Sequence, residues 1–250
     1  MSTKNSAIGL AAILVLAALQ SAPPALAQTV FMGDCKGDPA LEPGHVIAAC
    51  TGFISRTLQE NWQTEYDAEA LFYRAKAYER LDKYAAAQAD LRMAIKLQPG
   101  AYPPLWSEFG EVSEKLGSPG QLSAALDAMI KANPNDADML NEACWSRGKH
   151  NQQLELAFAD CNEADRLKPN NAGILQSRCF VRFRLGQFAN AAADCNAALA
   201  VAAKMASALY VRGLADIRLG HADLGNADIA AARAIDPNIA DRYAGYGVTP

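Results

Sequence analysis

The sequence is poor in the residues and spacings that build metal and catalytic centres. Its 250 residues include three histidines, and its six cysteines form no CxxC or other short ligand pair. A zinc site therefore has nothing to start from. No glycine-rich phosphate loop, HExxH or GxSxG occurs, so the usual cradles for nucleotides and activated nucleophiles are missing. His45, His150 and His221 fall at a helix start and in two turns, without a shared face. Neither an enzyme nor a metal or cofactor is expected. Basic residues are outnumbered 23 to 27, for a net charge of −4. That balance argues against nucleic acid, whose phosphates demand a basic surface, and no polybasic run points to anionic lipid. Beyond the N-terminus no apolar stretch is long enough to span a membrane, and no alternating run suggests a strand.

Residues 1–27 read as a cleaved signal peptide rather than as fold. Lys4 and the amino terminus precede thirteen mostly apolar residues from Ala7 to Leu19, and Ala25-Leu26-Ala27 supplies a signal peptidase pattern. Thirteen helical residues reach about 20 Å, short of a roughly 30 Å hydrocarbon core, which weighs against an uncleaved anchor. No cysteine follows directly, so no lipid anchor is expected there. The expected product is exported, soluble and periplasmic. It begins at Gln28 with a net charge of 22 minus 27, or −5.

What the chain does have is a repeat. Pro99, Pro134, Pro169 and Pro237 are spaced 35, 35 and twice 34 residues, with the missing rung at Ala203. Proline stops a helix because it lacks an amide proton and clashes with the preceding turn, so each rung closes a two-helix module. Units numbered from Ala68, Pro103, Ala137, Ala172 and Ala206 align throughout. Position 4 holds Leu71, Trp106, Leu140, Leu175 and Leu209. Position 8 is small: Ala75, Gly110, Cys144, Cys179 and Gly213. Position 15 holds the turn-formers Asp82, Gly117, Asn151, Gly186 and Gly220, and the third unit carries one extra residue near Gln152. Position 20 is small except at Leu122, and position 27 is alanine except at Met129. Apolar residues three, four and seven apart make one stripe per helix, and small residues let two backbones approach. Such a hairpin cannot bury its stripe alone and must stack on neighbours. Leu122, Met129 and the Ser118-Pro119-Gly120 turn predict looser packing in the second unit.

This pattern resembles the tetratricopeptide repeat family over residues 68–237. It matches in Leu or Trp at 4, Ala or Gly at 8, Tyr84 and Phe188 at 17, Ala at 20 and 27, and Pro at 32. The resemblance implies an all-α, right-handed superhelical solenoid of about five hairpins. Residues 28–67 read as a disulfide-tied arm and a capping helix from His45 to Leu58, and residues 238–250 as a final helix, Ile239 to Tyr246, with a tail.

Two columns carry charge. Arg74, Arg178 and Arg212 at position 7 recur sixteen residues before Asp90, Asp194 and Asp228, and three copies of one pair read as structural. Position 13 is basic in every unit: Arg80, Lys115, Lys149, Arg184 and Arg218. A cation in the last turn offsets the negative helix end. The family resemblance adds a second reading, because there first-helix positions 2, 5, 9, 12 and 13 line a concave groove that holds partner peptides. Trp145, Phe180 and Leu214 at position 9, Phe183 and Ile217 at 12, and Tyr210 at 5 then form an apolar strip beside the cations. Exposed, it is an interaction surface; the alternative is burial under the final helix.

Cysteines in an exported chain read first as disulfides. Cys144 and Cys161 hold positions 8 and 24 of one hairpin, as Cys179 and Cys195 do in the next, level across their turns. Joining Cys161 to Cys179 is also level but strands the other two. The expected pairs are therefore Cys35–Cys50, Cys144–Cys161 and Cys179–Cys195, against the alternative of small buried thiols. The function expected is a non-enzymatic envelope scaffold holding a protein or peptide in the groove. The alternatives are a self-associating structural element, hence a homo-oligomer, and a regulatory subunit docking an envelope enzyme.

Overall fold

The computed structural model describes residues 34–250 apart from 37, 39, 60–64, 99–103 and 119. The signal peptide expected at 1–27 lies outside the described residues, as does Pro99. Twelve helices and no strand occur among the described residues. The chain divides into two compact units, 1–101 and 102–250. The first contains α1 (Pro43–Gln59), α2 (Glu65–Glu79) and α3 (Tyr84–Leu97). The second contains α4 (Pro104–Lys115), α5 (Gln121–Ala132), α6 (Ala137–Lys149), α7 (Leu154–Leu167), α8 (Ala172–Arg184), α9 (Phe188–Val201), α10 (Ala206–Arg218), α11 (Ala222–Ile235) and α12 (Ile239–Gly245). The five hairpins are α2–α3, α4–α5, α6–α7, α8–α9 and α10–α11.

One turn closes the first helix of every hairpin. Asp82, Gly117, Asn151, Gly186 and Gly220 all have φ between 54° and 87°. The next residue's N–H then returns to the carbonyl at position 11: Lys83 to Tyr78, Ser118 to Ser113, Gln152 to Arg147, Gln187 to Arg182 and His221 to Asp216. This six-to-one bond needs a left-handed residue beside it, which is why only Gly, Asn and Asp fill that column. The extra residue of the third hairpin is absorbed by a second left-handed residue, Gln153, just before α7. Second helices end alike, with a final N–H donated back to the position-27 carbonyl. Because Ala202 does this without any proline, the missing rung at Ala203 costs the fold nothing visible.

The second unit of the repeat is not loose, contrary to its departures from pattern. Leu122 and Met129 are fully buried in one cluster with Leu126, Met139 and Ala143. Bulk at position 20 is offset by glycine at position 8: a Cβ on Gly110 would stand 2.4 Å from Leu122 Cα. The fifth hairpin uses glycine on both sides, Gly213 against Gly225.

The position-7 and position-23 columns form forked pairs. Arg74 reaches both carboxylate oxygens of Asp90 at 2.7 Å, Arg178 those of Asp194 at 2.9 Å, and Arg212 those of Asp228 at 2.6 and 2.8 Å. In the third hairpin Ala143 replaces the arginine, and Arg147, one turn later, takes Asp160 instead. Arg147 is 2% exposed and also bonds Asp127 of α5 and Gln153.

The cysteines pair as Cys35–Cys50, Cys144–Cys161 and Cys179–Cys195, with Cα separations of 4.8, 5.4 and 5.3 Å. These lie within the ordinary disulfide range. The first ties the arm to α1, and the other two join the helices of their hairpins.

Candidate partner-binding face

The first helices of the larger unit present positions 5, 9 and 13 on a common face. Over α6, α8 and α10 it is covered rather than exposed. Phe180, Tyr210 and Leu214 are fully buried, and Trp145 is half-buried. The cover is the chain's own C-terminus. Tyr243 of α12 packs its ring 5.3 Å from Phe180 and 5.0 Å from Tyr210, and its hydroxyl meets Gln176 Nε2 at 3.2 Å. Tyr246 stands edge-on to Trp145 at 5.9 Å and lies 6.4 Å from Phe180. Ile239 and Val248 are buried in the same cluster. The expectation of an exposed apolar strip is corrected accordingly, because α12 lies on α8 and α10 and Tyr246 after it reaches α6.

Phe183 requires a separate correction. Its ring packs 5.5 Å from Phe188 at the start of α9, so it lies inside its hairpin. Ile217 behaves likewise, since it abuts the space that a Cβ on Gly225 would enter. Position 12 here is a packing position.

The basic column has a consistent use that neither sequence reading contained. Arg184 Nη2 donates to the carbonyl of Tyr246 and, at 3.3 Å, to that of Lys149. Arg218 Nη2 donates to the Thr249 carbonyl at 3.1 Å. In the smaller unit Arg80 Nη1 donates to the Leu41 carbonyl at 2.9 Å. Three arginines at one register thus hold the main chain of a non-repeat segment. Lys149 differs, pairing with Glu111 at 2.8 Å, and Lys115 is exposed at the end of α4. No sequence signal marked Leu41, Tyr246 or Thr249, because any residue can supply a carbonyl.

Charge is managed unevenly along the face. Burial alone would raise Glu111, but hydrogen bonds from His150 and Lys149 outweigh it and hold the carboxyl at about 2. Burial pushes Glu142 upward although it accepts a 2.6 Å bond from Ser107. Arg184 stacks 5.2 Å from the Phe180 ring, and burial lowers its pKa. In the smaller unit Val46, Phe72, Tyr73, Lys76, Ala77, Glu79 and Arg80 line a mostly apolar recess of about 420 Å³. No group of three or more metal-ligating side chains occurs among the described residues, and no described helix is long and apolar enough to cross a membrane.

No family model and no curated protein matches the chain. Solved structures do. TTC0263, a tetratricopeptide repeat protein of Thermus thermophilus, superposes with a TM-score of 0.54 at 20% identity, covering 72% of this chain and 97% of its own. PilW, a type IV pilus biogenesis factor, gives 0.57 at 20% identity over 78% and 88%. The Cut9–Hcn1 complex gives 0.57 at 13% identity over 88% of this chain and 44% of that one.

The chain has the tetratricopeptide-repeat fold.

In that fold's register, first-helix positions 5, 9 and 13 are where the C-terminal segment is seated. The tetratricopeptide hairpins therefore carry a peptide already, and it is their own.

Proposed function

We propose that this protein is a non-enzymatic interaction scaffold of the cell envelope, exported and soluble in the periplasm, which binds a protein or peptide segment on the first-helix face of its repeats. One observation carries the reading: that face seats a peptide segment by two tyrosine rings and by arginines on main-chain carbonyls. Aromatic pockets beside arginine donors are the chemistry of interface hot spots. Three cysteine pairs suit an oxidising compartment. Self-association through an exposed aromatic strip loses its surface, because α12 covers that strip.

The test is site-directed photo-crosslinking in the envelope of the native host. A photoreactive residue replacing Lys115, exposed on α4, is expected to capture one defined protein identified by mass spectrometry. The same group replacing Leu224, 65% exposed on α11, is expected to capture none. Equal capture at both positions, or only dimers of this chain, overturns the reading.

A further inference from the structure

The C-terminal segment fits its site incompletely. Tyr210 is fully buried, yet among the described residues its hydroxyl has no hydrogen-bond partner, and the buried Arg184 Nε has none either. Among the described residues Arg184 meets two carbonyls and no carboxylate, and burial disfavours its charge. A buried donor left unsatisfied is destabilising, so the resident segment forgoes stabilisation that another ligand could recover. The rest of its hold is non-covalent: Tyr243 against Phe180, Tyr210 and Gln176, Ile239 and Val248 in the buried cluster, and Thr249 on Arg218. Helix α12 has seven residues, too few to persist without the face it docks on. It is joined to α11 only through Asp236, Pro237 and Asn238, so it can lift away without unwinding that helix.

We propose that the face over α6, α8 and α10 is an exchangeable peptide site. Its resident is residues 239–250, and a partner protein displaces it with a segment carrying two aromatic rings one helical turn apart and a carboxylate for Arg184. This rests on the proposed scaffold function and specifies the ligand. The rings replace Tyr243 and Tyr246, and the carboxylate supplies the charge partner that the Tyr246 carbonyl does not. The resident acts as an intramolecular competitor. Tethered ligands reach effective concentrations in the millimolar range, so outside affinity is reduced by the fraction of time the site is filled.

The experiment uses the full chain and two labelled synthetic peptides, one with the sequence of residues 236–250 and one with Gly245→Glu, a position with space for a side chain. Fluorescence anisotropy is expected to show weak binding to the wild type and at least about tenfold tighter binding to Tyr246→Ala, whose resident segment is loosened. The Glu peptide should bind tighter than its parent, and Arg184→Gln should abolish that difference. Hydrogen exchange gives a second readout: saturating peptide should speed exchange of the Tyr243–Val248 amides in the wild type. Equal affinity for wild type and Tyr246→Ala, or unchanged exchange, overturns the proposal. A Tyr246→Ala chain that dimerises overturns it in favour of a second copy as occupant. Failure here with intact crosslinking at Lys115 leaves the scaffold reading standing.

Discussion

The two ends of the chain are treated differently by the same device. At the N-terminal end Arg80 holds the Leu41 carbonyl, and the arm is also tied covalently through Cys35–Cys50. At the C-terminal end Arg184 and Arg218 hold the Tyr246 and Thr249 carbonyls, and the rest of the attachment is ring packing, the burial of Ile239 and Val248, and the bond between Gln176 and the Tyr243 hydroxyl. A disulfide removes the open conformations from the ensemble, whereas packing and hydrogen bonds only weight them. One end is locked and the other is held. Among the described residues, the held segment lies on an aromatic bed with unsatisfied donors.

The strongest test of that contrast is Tyr243→Ala. Removing a fully buried ring from between Phe180 and Tyr210 should cost about 3–5 kcal/mol and abolish exchange protection across α12 while the hairpins persist. If α12 stays protected, it is not held by packing. Next comes the double substitution Cys35→Ser and Cys50→Ser. Opening a loop of this size should lower stability by roughly 3 kcal/mol and release the arm, read by calorimetry and by protease sensitivity near Leu41. An arm that remains protected would mean that the two ends are held alike.

Acid should act beside the C-terminal seat, because Lys149, which pairs with Glu111, lies 6.0 Å from the centre of the Tyr246 ring. Glu111 titrates at about 2 instead of the ordinary 4.5, so its lowered pKa contributes stability that is present above pH 4.5 and lost as pH falls toward 2. The expected loss is on the order of 2–3 kcal/mol, and Glu111→Gln should flatten that part of a stability–pH profile. The smallest effect belongs to Arg218→Gln. Arg218 is exposed and its bond goes to an exposed Thr249, so stability should move by about 0.5 kcal/mol or less. A larger loss would show that the tail beyond Val248 is anchored more firmly than its contacts suggest.

Much of the hairpin architecture was legible because a repeat turns spacing into contact. Once position 15 is known to need a left-handed residue, Asp82, Asn151 and three glycines mark five turns before any contact is known. The same register levels Cys144 with Cys161, and Arg178 with Asp194. It failed where one column compensates another. Leu122 reads as a defect until Gly110 is placed opposite it, and Asp160 reads as unpaired until Arg147 is seen one helical turn from position 7. The signal for Arg147 was present, since an acidic position 23 beneath an alanine at position 7 must find its cation nearby.

The sequence alone determined the helical period, the turns, the level pairs and the apolar character of the first-helix strip, since each follows from local geometry repeated at constant register. Tertiary structure decided what covers that strip. Residues 239–250 lie outside the repeat, so nothing in the register says where they dock. Two tyrosines will bury themselves against any apolar surface within reach, and an arginine donates to any carbonyl. Only the folded chain shows that the reachable surface is the face over Trp145, Phe180 and Tyr210.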